Sequence, residues 1–332
     1  MAHAVEAEGL EREFKGGIKA VDGVDIQVDA GEVYGFLGPN GAGKSTTVRI
    51  LTTLLRPTGG VARVAGRDVV TDAPGVRRSI GVALQDAAID PYMTGRELLR
   101  LQSVLHGLGR AAGRARSEAL LERVDLLEAA DRRVGTYSGG MRRRLDLAMA
   151  LVHEPEVLFL DEPTTGLDPI SRMTLWNEVR RLNEDGTTVF LTTQYLEEAD
   201  QLAGRVSIID DGRIVAEGRP AELKAQVGDP TMNLTLCDPR EADDATRALS
   251  ALGEPVVSGD RRISMRVPRG ASALPDVVRA LDGAGVTPES LDISQPTLDD
   301  VFMAKTGRHL DDQEVEADGA AEATDAAASA TT

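Results

Sequence analysis

Val33-Tyr34-Gly35-Phe36-Leu37-Gly38-Pro39-Asn40-Gly41-Ala42-Gly43-Lys44-Ser45-Thr46 is the stretch on which the fold turns. Its first five residues are almost continuously apolar, as in a strand buried on both faces. The next nine satisfy the pattern G-x-x-x-x-G-K-[ST]. Glycines there let backbone N–H groups point inward around an anion. A helix predicted over Lys44 to Leu55 adds the positive end of its dipole. Lys44 is placed to reach the β- and γ-phosphates of a nucleotide, and Ser45 to hold Mg²⁺. An ordinary glycine turn between strand and helix does not account for Lys44 and Ser45 in register.

Working outward, a second apolar run, Val157-Leu158-Phe159-Leu160, ends in Asp161-Glu162-Pro163. An acidic pair alone is commonplace and usually solvated. At the carboxyl end of a buried strand it lies where α/β sheets place their ligands. Asp161 becomes a candidate Mg²⁺ ligand and Glu162 a candidate for polarising the attacking water. Strand character recurs at Ile80 to Leu84, Val189 to Thr192 and Val206 to Ile209, with helices between. That alternation predicts a mainly parallel sheet covered by helices. Val5 to Leu10 and Val24 to Val28 alternate apolar and polar residues, as half-buried strands do. Residues 95–130 read as a helical insertion. Asp210-Asp211-Gly212 reads as a hairpin turn into Arg213 to Ala216.

The composition breaks near Gly228-Asp229-Pro230. The expected division is 1–228, 229–308, and an acidic Ala/Asp/Glu/Thr tail over 309–332 that reads as disordered. The middle segment alternates as β-α-β-β-α-β, which predicts a small ferredoxin-like module. In it, Val256-Val257 pairs with Ile263 to Val267 across Gly259-Asp260, and Thr297 caps a last helix with Asp299 and Asp300 in its first turn.

The 332 residues carry a net charge of −17 and one cysteine, Cys237. Seven of the acidic residues follow Arg308, so the preceding chain still carries −10. That balance argues against non-specific nucleic-acid binding. Arg142-Arg143-Arg144 point around a helix and read as a solvated or ion-paired surface. A single cysteine makes no intrachain disulfide and fits a reducing compartment. No run of about 18 apolar residues suggests a membrane span, and the first residues lack the pattern of a signal peptide. The four histidines read as surface or packing residues, and no metal-ligand cluster appears.

Tyr137-Ser138-Gly139-Gly140-Met141, some twenty positions before Asp161, resembles the signature motif of ABC transporter ATP-binding subunits, with Tyr for the usual Leu and Met for the usual Gln. The resemblance covers residues 1 to about 308. It implies a P-loop NTPase core with a mainly parallel sheet, an antiparallel β subdomain, a helical subdomain over about 88–153, and a small α+β C-terminal accessory module. It implies ATP and Mg²⁺ as cofactors and hydrolysis of ATP to drive transport. The implied nucleotide contacts are Phe14, stacking on adenine, then Gly38, Asn40, Gly41, Gly43, Lys44, Ser45 and Thr46. Ser138, Gly139, Gly140 and Asp168 act across a head-to-tail homodimer. Gln85 implies a contact with Mg²⁺ or water and a link to the membrane partner. One position departs from the family: Gln194 stands where a histidine usually contacts the γ-phosphate, and an amide carries neither a proton nor a charge.

Thr192-Thr-Gln194-Tyr-Leu-Glu-Glu-Ala-Asp200 and Pro296-Thr-Leu-Asp-Asp-Val-Phe-Met resemble the daunorubicin-resistance type of exporter subunit. That type implies drug export through a separate permease of about six helices, with this chain on the cytoplasmic face of the membrane. An importer subunit shares the same engine. A ribosome- or DNA-directed ABC protein usually has two ATPase units or long coiled coils, and neither is seen here.

Overall fold

The computed structural model describes residues 3–84, 89–258, 261–268 and 270–310. Two compact units divide it, one running to Pro220 and the other over Ala221–His309. The division falls ahead of the composition break at Gly228. A helix over Pro220–Val227 falls, from Ala221 on, with the second unit.

The first unit opens with β1 (His3–Phe14) and β2 (Ile18–Asp29), an antiparallel hairpin, followed by β3 (Val33–Leu37) and helix α1 (Lys44–Leu51). α1 is shorter than expected, because Thr52 caps it and Thr53 turns left-handed at φ 65°. Next come β4 (Gly59–Val64), the two-residue β5 (Arg67–Asp68), α2 (Ala73–Ser79) and β6 (Ile80–Ala83). The helical insertion consists of α3 (Gly95–Leu105) and α4 (Arg110–Arg123), with α5 (Gly139–Ala150) after it. The unit continues through β7 (Val157–Asp161), α6 (Pro169–Glu184), β8 (Thr188–Thr193), α7 (Leu196–Leu202), β9 (Arg205–Asp210) and β10 (Arg213–Gly218). Asp211 and Gly212 both have positive φ, 46° and 77°, the geometry a two-residue hairpin demands.

Six strands form the main sheet in the order β10-β9-β3-β8-β7-β6, parallel except for β10. A second sheet, β2-β1-β4-β5, is antiparallel. Side chains of β7 alternate between two cores. Val157 and Phe159 join the cluster under the antiparallel sheet and α1, while Leu158 and Leu160 join the one containing α3, α4 and α5. Burial on both faces is why the strand reads as an unbroken apolar run. Phe190 lies within 5.4–5.6 Å of the Tyr34, Phe36 and Phe159 rings. Such tilted pairs each add about 0.5–1.5 kcal/mol beyond their buried area. In the parallel register Leu37 stands beside Thr193 and Asp161 beside Thr192, so the carboxyl ends of β3, β8 and β7 finish together.

The second unit contains α8 (Pro220–Val227), β11 (Thr231–Leu236), α9 (Ala242–Leu249), β12 (Pro255–Ser258), β13 (Arg262–Arg266), α10 (Leu274–Gly283), β14 (Pro288–Ser294) and α11 (Leu298–Thr306). Its sheet is antiparallel in the order β12-β13-β11-β14, the ferredoxin-like arrangement. Val257 pairs with Ile263 as expected, while Gly259 and Asp260 lie outside the described residues. Thr297 caps α11 by a reciprocal capping box with Asp300.

Candidate functional site

The loop between β3 and α1 wraps a cavity of about 250 Å³ lined by Asn40, Gly41, Gly43, Lys44, Ser45, Thr46 and Glu162. Its tightness depends on missing side chains. A Cβ on Gly43 would lie 2.2 Å from the carbonyl oxygen of Ala20 on β2, and Gly43 has φ 106°. A Cβ on Gly38 would lie 2.4 Å from the carbonyl oxygen of Ile209 on β9.

Lys44 is buried at the start of α1. Its ammonium donates to the carbonyls of Gly38 (2.8 Å) and Pro39 (3.0 Å) and pairs with Glu162 Oε1 at 3.2 Å. Burial pushes its pKa down, and Glu162 and Asp161 pull it back up. Ser45 Oγ donates to Asp161 Oδ1 at 3.3 Å, and Thr192 Oγ1 donates to the same oxygen. A hydroxyl and a carboxylate sharing one point are hard oxygen donors of the kind Mg²⁺ selects. Glu162 follows Asp161 in a left-handed turn with φ 46°, its N–H bonded to Thr192 at 3.1 Å.

Ser138 caps α5, accepting from the Met141 N–H at 3.2 Å, and is exposed with Gly139. Tyr137 is buried and donates its hydroxyl to the Ala129 carbonyl at 2.7 Å, which explains an aromatic where an aliphatic is usual. Asp168 caps α6, accepting from the N–H groups of Ile170 and Ser171 and from Ser171 Oγ at 2.5 Å. The Ser171 hydroxyl bond is the main cause holding its carboxyl below the usual range. Gln194 is half-buried just beyond β8. Phe14 ends β1, 39% exposed, with the Arg12 guanidinium 4.7 Å from its ring centroid, and is not part of the phosphate-loop lining. Gln85 lies outside the described residues.

The three arginines of α5 need a correction. Arg142 is exposed, but Arg144 turns in to the Val124 carbonyl at 2.7 Å. Arg143 is nearly buried and donates to the carbonyls of Leu84, Asp161 and Pro163. Charge alone did not single it out. Glu198, also missed, is fully buried and accepts from Trp176 Nε1 at 3.0 Å. Burial pushes its carboxyl up. Of the histidines, His106 and His153 stack at 3.8 Å between centroids, while His3 and His309 face Asp29 and Asp299. Among the described residues no group of three or more His, Cys, Asp or Glu is placed to hold a metal.

A phosphate loop, an acidic strand end beside its lysine, and a serine-capped helix on a neighbouring helical subdomain define an ATP-binding cassette. Residues 21–165 match the ABC transporter family, and 218–306 match the ATP-binding protein DrrA1-3-like C-terminal domain. The chain is 50% identical to the daunorubicin resistance ATP-binding protein DrrA3 of Streptomyces coeruleorubidus, over 92% of this chain and 96% of that one. It is 38% identical to a Nod factor export ATP-binding protein I of Burkholderia orbicola, over 93% and 98%. Among solved structures, an ATP-binding cassette dimer carrying ADP and phosphate after hydrolysis superposes with TM-score 0.60 at 27% identity, covering 65% of this chain and 98% of that one. The chain belongs to the ABC transporter family, among the daunorubicin/doxorubicin-resistance type of ATP-binding proteins. It is the ATPase component of a transporter.

Proposed function

We propose that this chain hydrolyses Mg²⁺-ATP at the β3–α1 loop and, as a head-to-tail homodimer, drives export of a drug or similar hydrophobic compound through a separate permease on the inner face of the cell membrane. The observation that carries the catalytic part is the convergence of Lys44, Ser45, Asp161 and Glu162 at the ends of β3 and β7. Lys44 and the glycine loop N–H groups of Gly38, Asn40, Gly41 and Gly43 hold the phosphates, and Thr46 lies at the same helix start. Ser45, Asp161 and Gln85 hold Mg²⁺, which when bound offsets charge on the β- and γ-phosphates. Glu162 accepts a proton from the attacking water while Gln194 orients it. Ser138, Gly139 and Gly140 offer a second anion site at the α5 N-terminus to the opposite copy, with Asp168 ordering the loop beside it. Phe14 presents one ring face to adenine.

The names of the relatives support the export reading, since they are resistance and export proteins. No described helix is long and apolar enough to cross a membrane, consistent with a separate permease. The test is Glu162→Gln in the full chain. It should leave only a small residual rate of hydrolysis, retain ATP binding and sediment as a dimer with ATP. A variant that stays monomeric would count against the two-copy site. Co-expression with its permease should confer drug resistance that Glu162→Gln loses, and resistance indifferent to Glu162 would count against export.

A further inference from the structure

Glu162 has φ 46°, a backbone that a non-glycine residue keeps only where its surroundings offset the strain. The carbonyls on either side of it, those of Asp161 and Pro163, accept from one side chain. Arg143 Nη2 donates to Asp161 at 2.8 Å and Arg143 Nε to Pro163 at 2.9 Å. Its Nη1 donates to the Leu84 carbonyl at 2.7 Å, at the end of β6. Asp146 Oδ2, 3.3 Å away on the same helix, balances the charge. Arg143 begins the second turn of the helix that Ser138 caps.

We propose that Arg143 is a positioning residue, which clamps the left-handed Glu162 turn and couples it to the α5 helix carrying Ser138, Gly139 and Gly140. The inference rests on the reading of Glu162 given above. A planar guanidinium with five donors spans two carbonyls flanking one residue and still reaches a third; an ammonium is a single point and cannot. The lever is short. A displacement of the α5 N-terminus carries the Arg143 fork with it, and the fork holds the Asp161–Glu162 peptide on one side of the Glu162 turn and the Pro163 carbonyl on the other. Arg143 touches no reacting atom and acts through Glu162 alone.

The test uses the full chain and steady-state hydrolysis of Mg²⁺-ATP. Arg143→Ala should lower kcat about tenfold or more while KM for ATP stays within about threefold, because a carboxylate misplaced by an ångström loses rate rather than substrate binding. Arg143→Lys should restore only part of the loss. In a Glu162→Gln background, Arg143→Ala should slow the residual rate no further. Hydrogen–deuterium exchange across 161–167 should speed up in Arg143→Ala with exchange across 38–46 unchanged. If the alanine variant does not fold, Arg143→Gln and Arg143→Lys carry the same comparisons. Wild-type kcat in these variants, a rise in KM with kcat intact, or a further drop in the Glu162→Gln background overturns the clamp. Glu162→Gln that hydrolyses as fast as wild type overturns the reading beneath it, whatever Arg143 does.

Discussion

Lys44 Nζ lies 3.2 Å from Glu162 Oε1, both side chains more than nine-tenths buried, with the Gly38 and Pro39 carbonyls completing the ammonium's shell. One cation thus neutralises the carboxylate that the proposed chemistry requires, and an arriving phosphate competes for that cation. Removing one partner of a buried pair leaves the other charge uncompensated, which costs about 3–5 kcal/mol in comparable sites. Lys44→Ala should therefore lose ATP binding and also lower unfolding free energy by roughly 3 kcal/mol. Adding Glu162→Gln should recover part of that stability, since the orphaned charge goes with it. Urea unfolding of the two singles and the double gives the coupling, and strictly additive losses would count against the pair.

Gly140 and Ser171 join the signature helix to the Asp168 cap by contact. A Cβ at Gly140 would lie 2.6 Å from Ser171 Oγ and 3.0 Å from Ser171 Cβ, and Ser171 Oγ is the donor to Asp168 Oδ2. Gly140→Ala should thus displace Ser171 and cost about tenfold in ATPase rate, as small misplacements near reacting groups do. Ser171→Gly removes both offending atoms and should restore part of the rate to Gly140→Ala. A double variant no faster than Gly140→Ala would mean that the two residues are not coupled by space.

The parts of the fold that were legible in the sequence are those where one local cause dominates. β3 and β7 are buried on both faces, so each shows as an apolar run, and glycine loop or acidic pair follows at its end. Thr297 and Asp300 make a cap from residues three apart, which is a local matter. β4, β5 and α2 escaped the reading because they are short and Val61 is exposed, so alternation is weak there. Arg143 escaped it for a different reason. Three consecutive arginines carry the same charge and propensity, and only the packing of α5 against the ends of β6 and β7 makes the middle one a clamp.

Gln194 follows β8, whose residue Thr193 pairs with Leu37 at the mouth of the phosphate loop. Its amide can donate to a phosphate oxygen but cannot take up a proton or present a positive charge. Gln194→His should raise turnover a few-fold, the direction the family's usual residue implies. It should also introduce an inflection near pH 6.5 in kcat, where an imidazole titrates. Equal rates and an unchanged pH profile would sink the assignment of Gln194 to the γ-phosphate.

Asp146 lies buried on α5, and burial pushes its carboxyl up from 3.8 to about 6, against the pull of the Arg143 guanidinium. Arg77, His106 and His153 line the same cavity of about 510 Å³. Between the unfolded and folded pKa values the folded protein holds a proton that the unfolded chain lacks. Stability from this group is therefore fully present below pH 3.8 and is lost as pH rises through about 6. Asp146→Asn removes that titration and keeps hydrogen-bonding capacity toward Arg143. Both histidines titrate in the variant as in the wild type, so comparing the two largely removes their contribution. From pH 5 to pH 7.5 the stability of Asp146→Asn relative to wild type should rise by on the order of 1 kcal/mol. Urea midpoints at the two pH values measure it. A gap that stays constant would mean that Arg143 keeps the Asp146 carboxylate ionised throughout, and that the clamp carries a full charge pair at every pH where the enzyme works.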